Sequence, residues 1–378
     1  MNEELQQIRE LAREFADNEL RPHAEAWDRE SHFPREVISK LGELGFQGML
    51  IPEEWDGLGL DTTSYLVALE EIARGDASVA VAMSVHNSLP TQMILANGTD
   101  EQKERWLKPM ARGELLGAFS LSEPDSGSDA AAMQAQARKA DGGWVLSGAK
   151  AWVTNGGFGD VVVAMARTDQ AGHRRGSRGI GAFIVPTDTQ GYIVGKKEDK
   201  MGQRASETVG IAFEEMFIPD DQVLGDPSHG FIYAMQGLNG GRMGIAALAL
   251  GIAQAALEHA IAYAAERKQF GSAIKDFQGM QFKLANMATR VEAARGLLHR
   301  AAGVKEAGGK TTQIASMAKL FASETAMYVT TEAVQVFGGY GYMKEYPVER
   351  LFRDAKVTEI YEGTSEIQRT VIARELYR

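Results

Sequence analysis

The segment Ile360-Tyr361-Glu362-Gly363-Thr364-Ser365-Glu366-Ile367-Gln368-Arg369 sets a carboxylate beside a glycine at the mouth of a helix. Gly363 lets the backbone turn sharply and approach a bound molecule. Thr364 or Ser365 can cap the helix that follows, and Ser365 with Gln368 has capping-box spacing. A carboxylate so placed either takes a proton from a ligand or merely complements the helix dipole. The rest of the chain offers few other chemistries. With no cysteine there is no disulfide, thiolate nucleophile, thiolate metal site or iron-sulfur centre. The seven histidines are scattered, and no His-Glu-x-x-His pair, EF-hand loop or phosphate-binding P-loop occurs, so no metal site is expected. Gly339-Tyr340-Gly341 lacks the third glycine of a dinucleotide fingerprint and follows a helical segment. Any redox chemistry must come from a bound organic group.

The elements that position these residues change type along the chain. Of the 378 residues, 44% are apolar, enough for about two to three packed regions. From Glu3 to about Gly113 the pattern is helical, with Leu5, Ile8, Leu11, Ala12 and Phe15 at three- and four-residue steps, then helices over Ser64–Arg74 and an apolar run Ser78–Ala96. Between Ala118 and Pro227 the period shortens. Trp144–Leu146, Val161–Ala166, Ile180–Val185 and Val209–Phe213 read as strands of a compact antiparallel β domain. The basic cluster His173-Arg174-Arg175-Gly176-Ser177-Arg178 reads as a solvated hairpin loop between two of them. From Phe231 onward the chain returns to long helices, with helical spacing over Arg242–Lys268, Phe277–Ala302, Gln313–Val336 and Ser365–Tyr377. Helices, then strands, then helices is not the alternation of a parallel α/β sheet, which argues against a Rossmann domain. The expected fold is α+β: an N-terminal helical domain (1–117), a middle antiparallel β domain (118–228) and a C-terminal four-helix bundle (229–378). A net charge of −11 disfavours nucleic acid and anionic membrane partners. The apolar stretches are interrupted by charge or fall short of a membrane span, and the start is polar and acidic without a signal core. No membrane insertion and a cytoplasmic location are therefore expected.

Three further segments accompany the Glu362 corner: Leu121-Ser122-Glu123-Pro124-Asp125-Ser126-Gly127-Ser128-Asp129, Ala151-Trp152-Val153-Thr154-Asn155-Gly156-Gly157 and Gln335-Val336-Phe337-Gly338-Gly339-Tyr340-Gly341-Tyr342. Together, in this order and at these separations, the four make the chain resemble the acyl-CoA dehydrogenase family, especially its short-chain and bacterial members, over essentially the whole length. The resemblance implies an FAD-dependent oxidation of a saturated acyl-CoA thioester to a trans-2-enoyl-CoA, with electrons passed on to an electron-transfer flavoprotein. That chemistry needs a base for the α-proton, a hydride acceptor on the opposite side of the substrate, and donors on the thioester oxygen.

By match to the family, Glu362 is the base and its backbone N–H an oxyanion donor, with Tyr361 and Gly363 against the substrate. Phe119, Leu121, Ser122, Trp152 and Thr154 match positions along the flavin ring, and Ser128 matches a contact to both flavin and acyl-CoA. Taken alone, Trp152 reads as an ordinary β-domain core residue. Arg267, Phe270 and Gln278, with Gln335, Gly338 and Gly339, match flavin contacts that in the family come from a neighbouring subunit. A homotetramer, a dimer of dimers, is thus implied. Thr364 and Glu366 match further flavin contacts. Arg242 and Arg374 match contacts to the CoA portion, although either arginine also reads as a surface charge. Asn239 stands where some relatives carry an aspartate. Gly241 stands where the long-chain and isovaleryl branches carry their base, which leaves Glu362 alone and favours the straight-chain short or medium pattern. The acyl pocket is expected to be lined partly by Met83–Leu95. An acyl-CoA oxidase on the same fold is the nearest alternative, and a non-catalytic helical scaffold the more distant one.

Overall fold

A computed structural model describes residues 3–168 and 176–377. Of the basic cluster, residues 173–175 lie outside the described residues. The chain begins with α1 (Glu3–Phe15), α2 (Ala24–Glu30), α3 (Arg35–Glu43), α4 (Thr62–Gly75), α5 (Ala77–Ser88), α6 (Pro90–Asn97) and the short α7 (Asp100–Gln102) and α8 (Lys108–Ala111). Asp61 and Asp76 start α4 and α5 by accepting backbone N–H groups of Ser64 and of Ser78 and Val79. The apolar run Ser78–Ala96, expected as one helix, is two. Pro90 has no N–H and pushes Leu89 to φ −115°, ψ −83°, so α5 ends there and α6 starts in a new direction.

The middle region holds β1 (Gly117–Ser120), β2 (Gln136–Ala140), β3 (Gly143–Thr154), β4 (Val161–Arg167), β5 (Ile180–Pro186), β6 (Tyr192–Lys197) and β7 (Thr208–Pro219) in one seven-stranded sheet. The order is β1-β4-β2-β3-β7-β6, with β5 also on β4. Ladders β2/β3, β3/β7, β4/β5 and β6/β7 are antiparallel, as expected. Two pairings depart from that pattern. β1 runs parallel to β4 from Gly117↔Val161 to Ser120↔Ala164, and β2 touches β4 in parallel at Gln136↔Arg167. Long connections carry the chain between those partners. β4 and β5 are covered on both faces, which is why they read as continuous apolar runs. β2 is mostly exposed and polar, and β6 is mostly exposed with Tyr192, Ile193 and Val194 followed by Gly195 and two lysines, so neither shows the alternation of a half-buried strand.

The last region consists of α9 (Gly230–Glu266), a hairpin β8 (Lys268–Gln269) and β9 (Ser272–Ala273), then α10 (Gln278–Glu306), α11 (Thr312–Phe337), α12 (Pro347–Lys356) and α13 (Ser365–Leu376). α9 begins at Gly230, next to the Phe231 where the return to helix is expected, and well before the helical spacing that starts at Arg242. Gly237, Gly240, Gly241 and Gly244 lower its intrinsic propensity by about 1 kcal/mol each relative to alanine, and packing against α4, α5 and α11 overrides that. At Gly251 the helices touch backbone to backbone, for a Cβ there would lie 2.3 Å from the Glu70 carbonyl oxygen. The buried side chains of α4, α5, α9, α10 and α11 form one core that joins the first and last regions. A second core packs α6 and α8 on β4 and β5. By length and composition α9 could cross a membrane, contrary to the expectation of interrupted runs, but 72% of its apolar window is buried inside the fold.

Candidate active site

The Glu362 corner is built from three directions. After α12 the chain makes one tight turn in which the N–H groups of Ile360 and Tyr361 both donate to the Val357 carbonyl. Glu362 and Gly363 then adopt φ +52° and +93° in succession. A glutamate in the left-handed region costs about 1 kcal/mol or more and persists only where its surroundings enforce it. Thr364 caps α13, its hydroxyl oxygen accepting from the Ile367 N–H at 3.3 Å. The Ser365–Gln368 capping box is not formed. Ser365 is already the first residue of α13, and the Gln368 side chain turns back to donate to the carbonyl oxygens of Glu362 (3.3 Å) and Gly363 (2.8 Å). From α11, the fully buried Lys319 ammonium donates to the same Gly363 oxygen at 2.6 Å. With both carbonyls held, the Glu362 N–H has no hydrogen-bond partner among the described residues.

Both Glu362 carboxylate oxygens are sealed from solvent and have no hydrogen-bond partner among the described residues. Burial pushes the pKa up to about 7, against the downward pull of the Lys319 and Arg242 charges. Burial also draws Lys319 down to about 8, with the Glu362 charge opposing. Arg242 is buried, donates to Asn239 Oδ1 at 2.9 Å, and keeps its Nε without a partner. The carboxylate rests on the glycine face of α9. A Cβ on Gly241 would lie 2.1 Å from Glu362 Oε2, and one on Gly244 would lie 2.6 Å from Ser84 Oγ and 3.4 Å from the Tyr65 hydroxyl. One turn earlier, Met93 and Leu89 reach to within 3.4 and 3.5 Å of the corresponding point on Gly237. The hydroxyls of Tyr65 and Ser84 are buried beside each other at this point.

Tyr361, on the other side of the corner, accepts at its hydroxyl from Gln203 Nε2 at 3.2 Å, and Gln203 Nε2 also donates to the Asp354 carbonyl. The substrate corner is thereby tied to the middle region. Arg374 lies on α13 with its side chain 57% exposed. Glu366 is exposed in the first turn of α13.

The residues expected along a flavin ring gather on the sheet. Trp152 sits in a bulge of β3, where pairing with β7 skips from Lys150↔Ile211 to Val153↔Val209. It has φ +57° and is 58% exposed. The bulge turns an aromatic that reads as core outward instead. Asn155 next to Thr154 is also left-handed and fully buried, donating to the carbonyls of Ala82 and Gly117 and so anchoring β3 to α5 and β1. Leu121–Asp129 is held to β3 through Ala151 N–H to the Ser122 carbonyl (2.9 Å) and a buried ion pair, Lys150 to Glu123 at 2.9 Å. Glu123 also accepts from the N–H groups of Gln134 and Ala135. Phe119, Leu121, Ser122 and Thr154 are half-buried beside Trp152's strand, while Ser128 is exposed.

Arg267, Phe270, Gln278, Gln335, Gly338 and Gly339 form a separate patch. The Arg267 guanidinium lies 5.5 Å from the centre of the Tyr340 ring, bringing the β8–β9 hairpin beside the glycine turn that ends α11. Phe270 is 97% exposed at the hairpin tip, and Cβ atoms on Gly338 and Gly339 would meet nothing within 4 Å. Among the described residues no hydrogen bond or ring contact joins this patch to the Trp152 surface. An outward indole flanked by hydroxyls, and an open glycine cradle beside Arg267 and an uncovered phenyl ring, fit the two ends of a flavin dinucleotide.

Sequence reasoning missed Lys319, the backward turn of Gln368, the Lys150–Glu123 pair and the glycine face of α9. Lys319 carried a signal: Ala315, Lys319, Ala322 and Ala326 fall on one buried helical stripe, and a lysine there needs a buried acceptor.

Residues 2–114, 118–216 and 228–377 match the family models described as the N-terminal, middle and C-terminal domains of acyl-CoA dehydrogenase. The short-chain specific acyl-CoA dehydrogenase of Bos taurus mitochondria is 51% identical over 99% of this chain and 90% of its own length. Among solved structures, butyryl-CoA dehydrogenase from Megasphaera elsdenii superposes with a TM-score of 0.97 at 44% identity, covering 100% of this chain and 99% of that one. A chain in the work on the electron transferring flavoprotein of Acidaminococcus fermentans superposes at 0.98 and 45%, covering 100% and 99%. A glutaryl-CoA dehydrogenase from Mycobacterium smegmatis in complex with FADH2 does so at 0.94 and 33%, covering 100% and 95%.

Proposed function

This chain belongs to the acyl-CoA dehydrogenase family, and from that premise we propose that it oxidises short straight-chain acyl-CoA thioesters to trans-2-enoyl-CoAs, with Glu362 as the base. The observation that carries the role is the Glu362 carboxylate itself: sealed from water, without a hydrogen-bond partner, and with a pKa raised by burial to about 7. A carboxylate is normally too weak a base for the proton alpha to a thioester, and desolvation narrows that gap. The unpartnered Glu362 N–H is available to the thioester oxygen as charge develops on it. Arg242, buried beside the carboxylate, supplies a cation for the CoA portion.

FAD, when bound, supplies the hydride acceptor. Phe119, Leu121, Ser122, Trp152 and Thr154 would hold its ring, and Thr364 and Glu366 lie at the start of α13 beside the base. Arg267, Phe270, Gln278, Gln335, Gly338 and Gly339 would hold the remainder of a flavin on a second copy of the chain. Their separation from the Trp152 surface, and the 97% exposure of Phe270, support a homo-oligomer, which we place as a dimer of dimers. Electron-transfer flavoprotein is the proposed acceptor, on the strength of the Acidaminococcus fermentans relative. A cytoplasmic setting belongs to the same reading. Short substrates are favoured by the relatives and by Leu89 and Met93, whose contact with Gly237 fills the space about one helical turn from the carboxylate.

The test is turnover of purified, flavin-loaded protein with an artificial electron acceptor on straight and branched acyl-CoAs of increasing length, beside peroxide release in air. Highest kcat/KM for a four- to six-carbon straight chain is expected, roughly, from the one-turn spacing. Glu362→Gln is expected to keep its flavin and lose turnover by several orders of magnitude. Near-wild-type rates in that variant refute the role of Glu362, and peroxide as the main product refutes the dehydrogenase assignment in favour of an oxidase.

A further inference from the structure

Lys319 is a buried ammonium in a helix stripe of alanines, and the reaction as derived above gives it no task. Its Nζ donates to the Gly363 carbonyl at 2.6 Å, and it is fully buried. Gln368, also fully buried, donates to the same oxygen and to the carbonyl of Glu362. Two donors from two helices, α11 and α13, thus converge on the two consecutive left-handed residues of the chain's one Glu-Gly corner. Neither is an economical way to stabilise a turn. A buried lysine with a single carbonyl acceptor is costly unless a negative charge lies close by.

We infer that Lys319 is a positioning residue for the base: its hydrogen bond to Gly363 fixes the corner, aiming the Glu362 carboxylate and N–H at the substrate, and its charge keeps the carboxylate ionised in a site that excludes water. This rests on Glu362 being the base. The charged and titratable groups around the pair come from several elements. Lys319 faces Glu362, Arg242 of α9, Glu359 of the turn after α12 and Glu366 of α13. Glu362 faces Lys319 and Arg242, and acts in turn on Tyr65 of α4 and the neighbouring Tyr361. Arg374 of α13 acts on Arg242. Glu359 and Glu366 favour the charged form of Lys319, so its charge has support beyond Glu362 and does not vanish when that group is protonated. Arg242 acts in the same sense as Lys319 on the carboxylate, but it does not hold the corner: its recorded bond goes to Asn239.

Removing the Lys319 charge raises the pKa of Glu362, so the acidic limb of the kcat/KM profile moves to higher pH. The experiment compares flavin-loaded wild type with Lys319→Met, Lys319→Gln and Lys319→Arg, using butyryl-CoA and an artificial acceptor across the acid limb and its plateau. Loss of one opposite charge at this range is expected to move the limb up by about 1 pH unit in Met and Gln, a roughly tenfold loss below it. Arg, which keeps the charge, is expected to leave the limb where it is. Lys319→Gln keeps a donor for the Gly363 carbonyl, so its plateau should exceed that of Lys319→Met. A lysine needed only for packing would lower flavin content and thermal stability in the neutral variants without moving the limb. An unmoved acid limb in either neutral variant that retains flavin overturns the inference. Substantial turnover in Glu362→Gln would instead overturn the base assignment, so the two failures are distinguishable.

Discussion

Gly241→Ala adds one methyl group at the point where the carboxylate of Glu362, the proposed base, rests on α9. The new Cβ would lie 2.1 Å from Glu362 Oε2 and 2.9 Å from its carboxyl carbon. Ordinary contact is about 3.5 Å, so the carboxylate must retreat by more than about 1 Å. The obstacle is the end of a flexible side chain and not backbone, so the side chain moves and the helix stays. A misplacement of about 1 Å costs roughly a hundredfold in rate, or about 2.7 kcal/mol of activation free energy. Stability should move the other way, since alanine is favoured over glycine inside a helix by about 1 kcal/mol. The expected variant therefore binds flavin, melts no lower than wild type, and has kcat lower by about two orders of magnitude. The assay is acyl-CoA-dependent dye reduction alongside flavin content and thermal unfolding. Gly296→Ala on α10 is the control, because a Cβ there meets nothing within 4 Å and the change should stabilise without touching kcat. A Gly241→Ala enzyme within threefold of wild type, roughly 0.6 kcal/mol, refutes the claim that Gly241 seats the base. Loss of flavin together with activity would refute it as well, by showing that the helix gave way.

Three further outcomes follow from buried charge. Glu362 has its pKa raised from 4.5 to about 7, so the folded protein holds this proton more tightly than the unfolded chain. Stability is intact below the unfolded value and falls as pH rises from there through about 7, by at most about 3 kcal/mol. Glu362→Gln removes this penalty: it should melt higher than wild type at pH 8 and no higher at pH 4, and equal melting at both would contradict the linkage. The same ionisation places the acid limb of wild-type kcat/KM near pH 7, with activity rising as the carboxylate loses its proton. Lys150→Met strands Glu123, which is otherwise buried against the Lys150 ammonium at 2.9 Å. Breaking one side of such a pair costs about 3–5 kcal/mol, and because the same lysine holds the Leu121 carbonyl, flavin affinity should fall with melting temperature. A variant that melts normally and titrates flavin as wild type does would contradict that account.

The four motif segments and the change of period from helix to strand and back were legible because each is local: a capped corner, a run of β-branched residues, a glycine-ended helix. What escaped was written in longer-range terms. Helical spacing was legible in α9 only from Arg242, yet Gly237, Gly241 and Gly244 are where Leu89, Met93, Glu362 and Ser84 press against it. β2 and β6 carry no apolar alternation because most of their side chains stay exposed to solvent. Ser365 and Gln368 had capping-box spacing, but Thr364 took the cap and left Gln368 free to hold the corner.

By itself the sequence determined which residue types were available: no thiol, one glutamate beside a glycine at a helix mouth, a tryptophan and threonine two apart, and a glycine at position 241. Residue type and spacing settle those, because they depend on the chain a few residues at a time. Only the tertiary structure decided that Glu362 is a buried carboxylate with a raised pKa and not a dipole-compensating surface charge. That follows from water being excluded by α4, α9 and α11 together, from a Gly241 that leaves room for the carboxylate, and from a lysine 43 positions earlier in the chain that reaches the Gly363 carbonyl. A pKa is a property of the dielectric and charges around a group, and in this fold those come from distant segments.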